Sequence, residues 1–197
     1  MRCPFLFGPN DMTEDIRKKE EVHWFPMRVT YNRELKVKEH LDELNIENFL
    51  PMRYELVEIG GARKRQLVPA IHNLIFVHTT QSILTDLKQS KRELQSLRYI
   101  TRPSTVDGSN EIIRVPYRQM DNFIRVASVQ DDSVIFLNID DNLKRMGTRV
   151  KILEGPFAGV EGVVKRISKN KHVVVHVEGL AAVAITFVPP RFLSVIT

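Results

Sequence analysis

Residues 147–167 constrain the fold more than any other stretch. Two β-branched runs flank a tight Gly155-Pro156-Phe157-Ala158-Gly159 turn. Val150 and Ile152, then Val160, Val163, Val164 and Ile167, supply apolar positions at strand spacing. Gly155, Gly159 and Gly162 fall where a small barrel needs positive φ or a close approach of backbones. Residues 172–177 and 182–188 follow as third and fourth strands after polar or glycine-marked turns. Size and pattern fit a small all-β, SH3-like barrel over residues 147–197.

The remaining chain is long enough for a second domain. The whole has 197 residues, 43% hydrophobic and 27% charged, the balance of a globular rather than a disordered protein. No apolar run approaches the ~20 residues of a membrane span, and residues 1–8 are too short in apolar length for a secretory signal. The single Cys3 rules out an internal disulfide framework and any CxxC motif. No membrane association and a cytoplasmic location are the expectation. The net charge of +5 is carried by residues 22–130 and 147–197, a balance compatible with nucleic acid nearby and equally with a solvated surface.

Residues 1–21 read as a charge-rich tail, poorly ordered or partly helical. Residues 22–31 read as a strand, with Pro26 suggesting an edge or a bulge. Asn32 is a candidate cap for a helix over 33–44, with Val37, Leu41 and Leu44 on one face. Strand character returns over 46–59. Gly60-Gly61 makes a turn, beside the basic Arg63-Lys64-Arg65, and 66–79 reads as one strand around Leu74-Ile75-Phe76-Val77. Ser82 is a candidate cap for a second helix. Short strands follow around Asp107-Gly108, and Pro116 opens a third helix with Met120, Phe123 and Ile124 as its apolar face. The order is close to βαββαββα, which predicts an α+β fold: an N-terminal α/β sandwich on an antiparallel sheet over 22–130, then the barrel. Residues 131–146 read as a linker, although Ile135, Phe136, Leu137 and Ile139 are apolar enough to dock on a domain.

Val150-Lys151-Ile152, the glycine-marked turn and Gly162-Val163-Val164 together resemble a KOW motif, found in ribosomal proteins and in NusG-type transcription factors. The first domain chooses between them. Trp24-Phe25, residues 36–41, Phe49-Leu50-Pro51 and residues 73–77 resemble the N-terminal domain of the NusG family, and closest among its members the specialised antiterminators of RfaH and UpxY type. The resemblance covers roughly 22–197. It implies a non-enzymatic elongation and antitermination factor, serving a polysaccharide biosynthesis operon, that binds the clamp helices of RNA polymerase and lies near the nucleic acid of the elongation complex. A general NusG factor and a ribosome-associated or RNA-binding KOW protein are the alternatives.

The resemblance also implies sites. The family's contact strand usually reads Phe-Pro-x-Tyr-aliphatic-Phe; residues 71–76 match it, with His72 in place of proline and Leu74 in place of tyrosine. His72, Asn73, Leu74 and Phe76 are therefore the candidate polymerase contacts. On an alternating strand Leu74 and Phe76 share one face and Ile75 and Val77 the other; periodicity leaves open which is exposed, and the resemblance points Leu74 and Phe76 outward. Arg28 and Lys36 match positions near DNA or polymerase, and Arg63, Lys64 and Arg65 are candidate phosphate contacts, with solvated charges as the competing account. His78-Thr79-Thr80 is similar to a gate-loop-contacting stretch of RfaH, at a different offset. In the barrel, Gly155, Phe157, Glu178, Gly179 and Leu180 match loops that bind Rho or a small ribosomal-subunit protein. Phe157 is alternatively a core residue, and Glu178 replaces an aromatic, which disfavours Rho. The β-branched run Val173-Val174-Val175 argues against a helical alternative for the barrel.

No phosphate-binding glycine loop, nucleophile elbow or paired-carboxylate motif is present. His172 and His176 would lie about 13 Å apart on one strand, too far for one zinc ion with bonds of about 2 Å. Neither a metal nor a cofactor is expected.

Overall fold

The computed structural model describes residues 21–104, 108–137, 147–167 and 170–196. The expectation for the tail thus lies outside the described residues, as do those for Asp107 and for Ile139 of the linker. In chain order the first domain runs β1 (His23–Val29), α1 (Glu34–Glu43), β2 (Asn48–Phe49), β3 (Met52–Ile59), β4 (Ala62–Pro69), β5 (Leu74–Thr79) and α2 (Gln81–Ser90). A 3-10 turn (Arg92–Ser96) then leads to β6 (Leu97–Tyr99), β7 (Thr101–Pro103), β8 (Asn110–Ile112) and α3 (Tyr117–Ala127). The second part runs β9 (Val134–Leu137), β10 (Thr148–Ile152), β11 (Glu161–Ile167), β12 (Asn170–Val177), β13 (Ala181–Ile185), a 3-10 turn (Pro190–Phe192) and β14 (Leu193–Val195). The α+β class predicted from the sequence is the class observed.

The first domain is a four-stranded antiparallel sheet in the order β2-β5-β1-β6. One face packs on α1 and α2 through Phe25, Met27, Val29, Ile75, Val77 and, from the helices, Val37, Leu41 and Leu84. The hairpin β3-β4 forms a separate two-stranded sheet, paired from Met52↔Pro69 to Ile59↔Ala62.

Several local expectations give way to the structure. Residues 66–79 are two strands. β4 ends at Pro69, which has no N–H for a ladder, and Asn73 turns the chain with φ +60° before β5 enters the central sheet. Pro26 lies within β1, which has neighbours on both sides. It is tolerated because β6 pairs only with Met27–Val29, so no strand lies beside Pro26 on that side. The nearest partner there is Val115, whose N–H donates to Trp24 O at 2.9 Å. Asn32 does not cap α1. It adopts φ +50°, and Arg33 holds the N-cap position without a side-chain bond. α2 is capped by Thr80 rather than Ser82: Thr80 Oγ1 accepts the Ile83 N–H at 3.3 Å.

The second part is a six-stranded antiparallel sheet in the order β14-β10-β11-β12-β13-β9. Gly155 and Gly159 have φ of +89° and +88°, and Gly159 N–H donates to Ile152 O at 2.7 Å to close the turn. Gly162 serves differently: a Cβ there would lie 2.8 Å from both Val173 Cγ1 and Val174 O, so its bare backbone lets β11 and β12 approach. β9, from within the expected linker, is the sixth strand and pairs with Ala182–Ile185. Among the described residues no helix is long and apolar enough to cross a membrane.

Candidate docking face

The alternation of β5 sorts its side chains between two cores. Ile75 and Val77 face α1 and α2, while Leu74 and Phe76 lie on the other side of the sheet. That face points away from the two helices, but it is closed rather than open: Leu74 is 5% exposed and Phe76 0%. Leu74 and Phe76 being outward in the sense of exposed is therefore corrected. The reason is α3, whose amphipathic stripe places Met120, Phe123 and Val126 in the same cluster. The Phe123 ring lies 5.7 Å from that of Phe76 and 6.1 Å from that of Phe49 between centroids. Trp24 completes the face and stacks on His78 at 4.7 Å, and His78 Nδ1 pairs with Glu47 at 2.5 Å. His78 thus braces this sheet near the C-terminal end of β5.

The cluster does not stop at α3. It continues into the barrel through Val134, Val150, Ile152, Val173, Val175 and Val183. Among the described residues, three polar contacts join α3 to the barrel. The Arg118 guanidinium pairs with the Glu161 carboxylate, Asn122 Oδ1 accepts the Glu161 N–H at 3.2 Å, and Arg125 Nη2 donates to Ala158 O at 2.6 Å. Asn122 is only 8% exposed, and its oxygen is satisfied by this bond. An open crevice remains beside these contacts, lined among others by Arg118, Asn122, Arg149, Glu161 and His176. His176 is exposed overall, but partial burial first, and Lys165 second, hold its imidazole below its ordinary value, with Glu178 pulling the other way.

The remaining candidates are distributed around this face. His72 and Asn73 are exposed at the turn into β5, where the Asn73 N–H donates to the buried Glu34 carboxylate at 2.7 Å. Arg28 is exposed, opposite Leu74 on one side and Arg98 on the other, so it stands at the rim of the closed face. Lys36 is exposed on α1, apart from it. Arg63, Lys64 and Arg65 are exposed along β4. The tip itself is Gly60-Gly61, with φ +61° and +78°. In the barrel, Gly155, Glu178 and Gly179 are exposed and Leu180 half-buried, while Phe157 is 9% exposed and belongs to the shared core. Its second reading, as a core residue, is the observed one.

Arg118, Asn122, Arg125, Glu34 and Glu161 were missed from sequence. A signal existed for the first three. They recur at i, i+4 and i+7 on α3, a polar stripe beside the apolar one. Glu161 and Glu34 carried none, since a carboxylate at a strand start or in a first helical turn reads as an ordinary surface charge. Among the described residues no group of three or more His, Cys, Asp or Glu is placed to hold a metal ion. The geometry comprises a closed apolar sheet face, a polar interdomain seam and a basic hairpin.

An antiparallel α/β sandwich is thus followed along the chain by a glycine-turned all-β domain. Residues 22–124 match the family model described as transcription termination factor nusG, and residues 146–178 match that of the KOW motif. The chain belongs to the NusG family. A solved structure titled for domain interaction in Thermotoga maritima NusG is similar at 19% identity and a TM-score of 0.41, covering 90% of this chain and 98% of that one. No curated protein sequence matches.

Proposed function

We propose that the protein is a transcription elongation and antitermination factor that docks on the clamp helices of RNA polymerase through the sheet face of Leu74 and Phe76. The observation that carries this is a predominantly apolar sheet face around Trp24, Leu74 and Phe76, turned away from α1 and α2, in a chain of this family. An apolar patch of this kind suits a helical partner laid into it. Arg28 at its rim faces the complex, and Arg63, Lys64 and Arg65 lie toward its nucleic acid. Since α3 covers Leu74 and Phe76 and the barrel packs on α3, polymerase engages after that layer shifts. The barrel recruits a second protein through Gly155 and the Glu178-Gly179-Leu180 loop; an exposed carboxylate there suits a polar partner such as a ribosomal protein better than an apolar contact with Rho. The specialised role, at a polysaccharide biosynthesis operon, rests on the resemblance to RfaH and UpxY-type factors, and the gene's position at the head of such an operon is its check.

Retention of purified RNA polymerase on the immobilised full chain tests the docking face. The double substitution Leu74→Ala, Phe76→Ala abolishes retention, while Arg118→Ala with Glu161→Ala, which frees the α3–barrel seam, raises it. Truncating buried side chains costs about 2–5 kcal/mol each, so a melting curve accompanies the double variant. Unchanged retention in a folded double variant overturns the assignment.

A further inference from the structure

The β1-α1 and β4-β5 connections meet at one end of the central sheet, where Arg28 lies opposite Leu74. They are fastened more firmly than an exposed turn requires. Tyr31 and Asn32 lead the chain out of β1 with φ of +67° and +50°. The left-handed region is costly for a bulky side chain, and such strain persists where the surrounding structure fixes it. The turn delivers Glu34 as the first residue of α1, and there Glu34 is only 3% exposed. Burying a carboxylate without an ionic partner is expensive. Among the described residues Glu34 has no such partner; its Oε1 accepts the Asn73 N–H at 2.7 Å. The positive end of the α1 dipole favours an acidic residue in the first turn. That accounts for a glutamate at this position, but not for its aim at the backbone of a distant turn.

The turn over residues 70–73 is held at three backbone atoms. Ala70 N–H donates to Pro51 O at 2.8 Å, Asn73 O accepts the Val29 N–H at 3.1 Å, and the Asn73 N–H goes to Glu34. Asn73 has φ +60°, a conformation that asparagine tolerates but that neither flanking strand imposes. Between the fixed ends Ile71 packs on the cluster of Phe76, while His72 and Asn73 are exposed. From this juxtaposition we infer that Glu34 is a positioning residue of the docking face. Its side-chain oxygen holds the Asn73 N–H and so presets the turn that offers His72 and Asn73 to the polymerase. A turn ordered in advance does not have to be ordered on binding, where affinity would otherwise be lost. The oxygen, rather than the charge, is what holds the turn. This role rests on the proposed docking function, and adds to it a residue that acts without touching the partner.

The test compares Glu34→Gln, Glu34→Asp and Glu34→Ala in the full chain by two readouts, native-state amide exchange at Asn73 and affinity for purified RNA polymerase. Glutamine keeps a carbonyl oxygen at the same reach and loses the charge. Aspartate keeps the charge and withdraws it by one methylene. Glu34→Gln protects the Asn73 amide and binds polymerase as the wild type does. Glu34→Asp and Glu34→Ala free the amide and weaken binding by about 5- to 150-fold, the range for ordering the side chains of His72 and Asn73 at the moment of binding. A role in the α1 dipole alone gives the opposite order, since aspartate serves the dipole and glutamine does not. Trp24 emission reports whether each variant is folded, and the Gln–Asp comparison decides alone if Glu34→Ala is not. Binding lost in Glu34→Gln but kept in Glu34→Asp, a protected Asn73 amide in Glu34→Ala, or full affinity in a variant whose Asn73 amide is free each overturns the inference. The docking face is read separately. Unchanged binding in Leu74→Ala, Phe76→Ala overturns that face, whereas loss of binding there with full affinity in Glu34→Ala overturns the positioning role alone.

Discussion

Truncating Phe123 to alanine removes a ring that is fully buried and packs against both Phe76 and Phe49. The cavity costs about 3–5 kcal/mol, and two aromatic pairs at ~0.5–1.5 kcal/mol each are part of that loss. Against a typical stability of about 5–15 kcal/mol, the substitution removes roughly a fifth or more. At this chain length ~1 kcal/mol moves the melting temperature by about 2–4 °C, so the midpoint falls by about 6–20 °C. Because Phe123 belongs to a cluster that runs from Trp24 to Ile185, the loss is shared by both domains. Trp24 is the sole tryptophan, so its fluorescence reports the first domain alone. Amide exchange along β12 reports the barrel. Both probes shift together in Phe123→Ala. A variant whose Trp24 transition moves while β12 protection stays at the wild-type level would show two separate cores and refute the reasoning.

Three further outcomes follow from single positions. Gly162→Ala forces a methyl group against Val173 and the Val174 carbonyl at 2.8 Å, and costs about 1–3 kcal/mol by urea denaturation; Gly61→Ala, with open space but φ +78°, costs about 1 kcal/mol through backbone strain alone. Thr80→Ala removes the cap of α2 and costs about 0.5–2 kcal/mol, whereas Ser82→Ala does not remove that cap; paired thermal melts separate them. His176 is depressed below its ordinary 6.5 by burial first. The unfolded chain therefore takes up a proton that the folded chain resists, and stability declines as pH falls from about 7 through 6.5 toward the depressed folded value. His176→Gln flattens that limb in melting temperatures taken at about pH 7.5 and 5.5, and an unchanged limb would assign it to other groups.

The barrel was readable because its glycines have no substitutes. Gly155 and Gly159 need left-handed φ and Gly162 needs a missing side chain, and each need leaves a mark in the sequence. The alternation of Leu74 to Val77 was equally legible, since period two separates the faces whatever covers them. What covers them was not. Burial of Phe76 is decided by α3, some forty residues along the chain, and α3 in turn is held against the barrel by Asn122 and Arg118 meeting Glu161. No local pattern encodes such a meeting. Turn chemistry misled at Asn32 and Ser82 for a related reason: both are good caps in isolation, but the strand preceding each helix sets where its first turn starts, and there Arg33 and Thr80 hold the position.

β9 gives the barrel a short leash. While Val134–Leu137 stays paired with β13, the free chain between the end of α3 at Ala127 and the barrel sheet is residues 128–133. Even stretched out, those six residues reach about 20 Å, and Ser133 is already fastened by its carbonyl to the Thr186 N–H at 2.8 Å. The second domain is therefore a door on a hinge, not a float on a line. The tether holds the barrel within about 20 Å of the end of α3, and a longer reach first requires the peeling of four residues, Val134–Leu137, from the edge of a sheet.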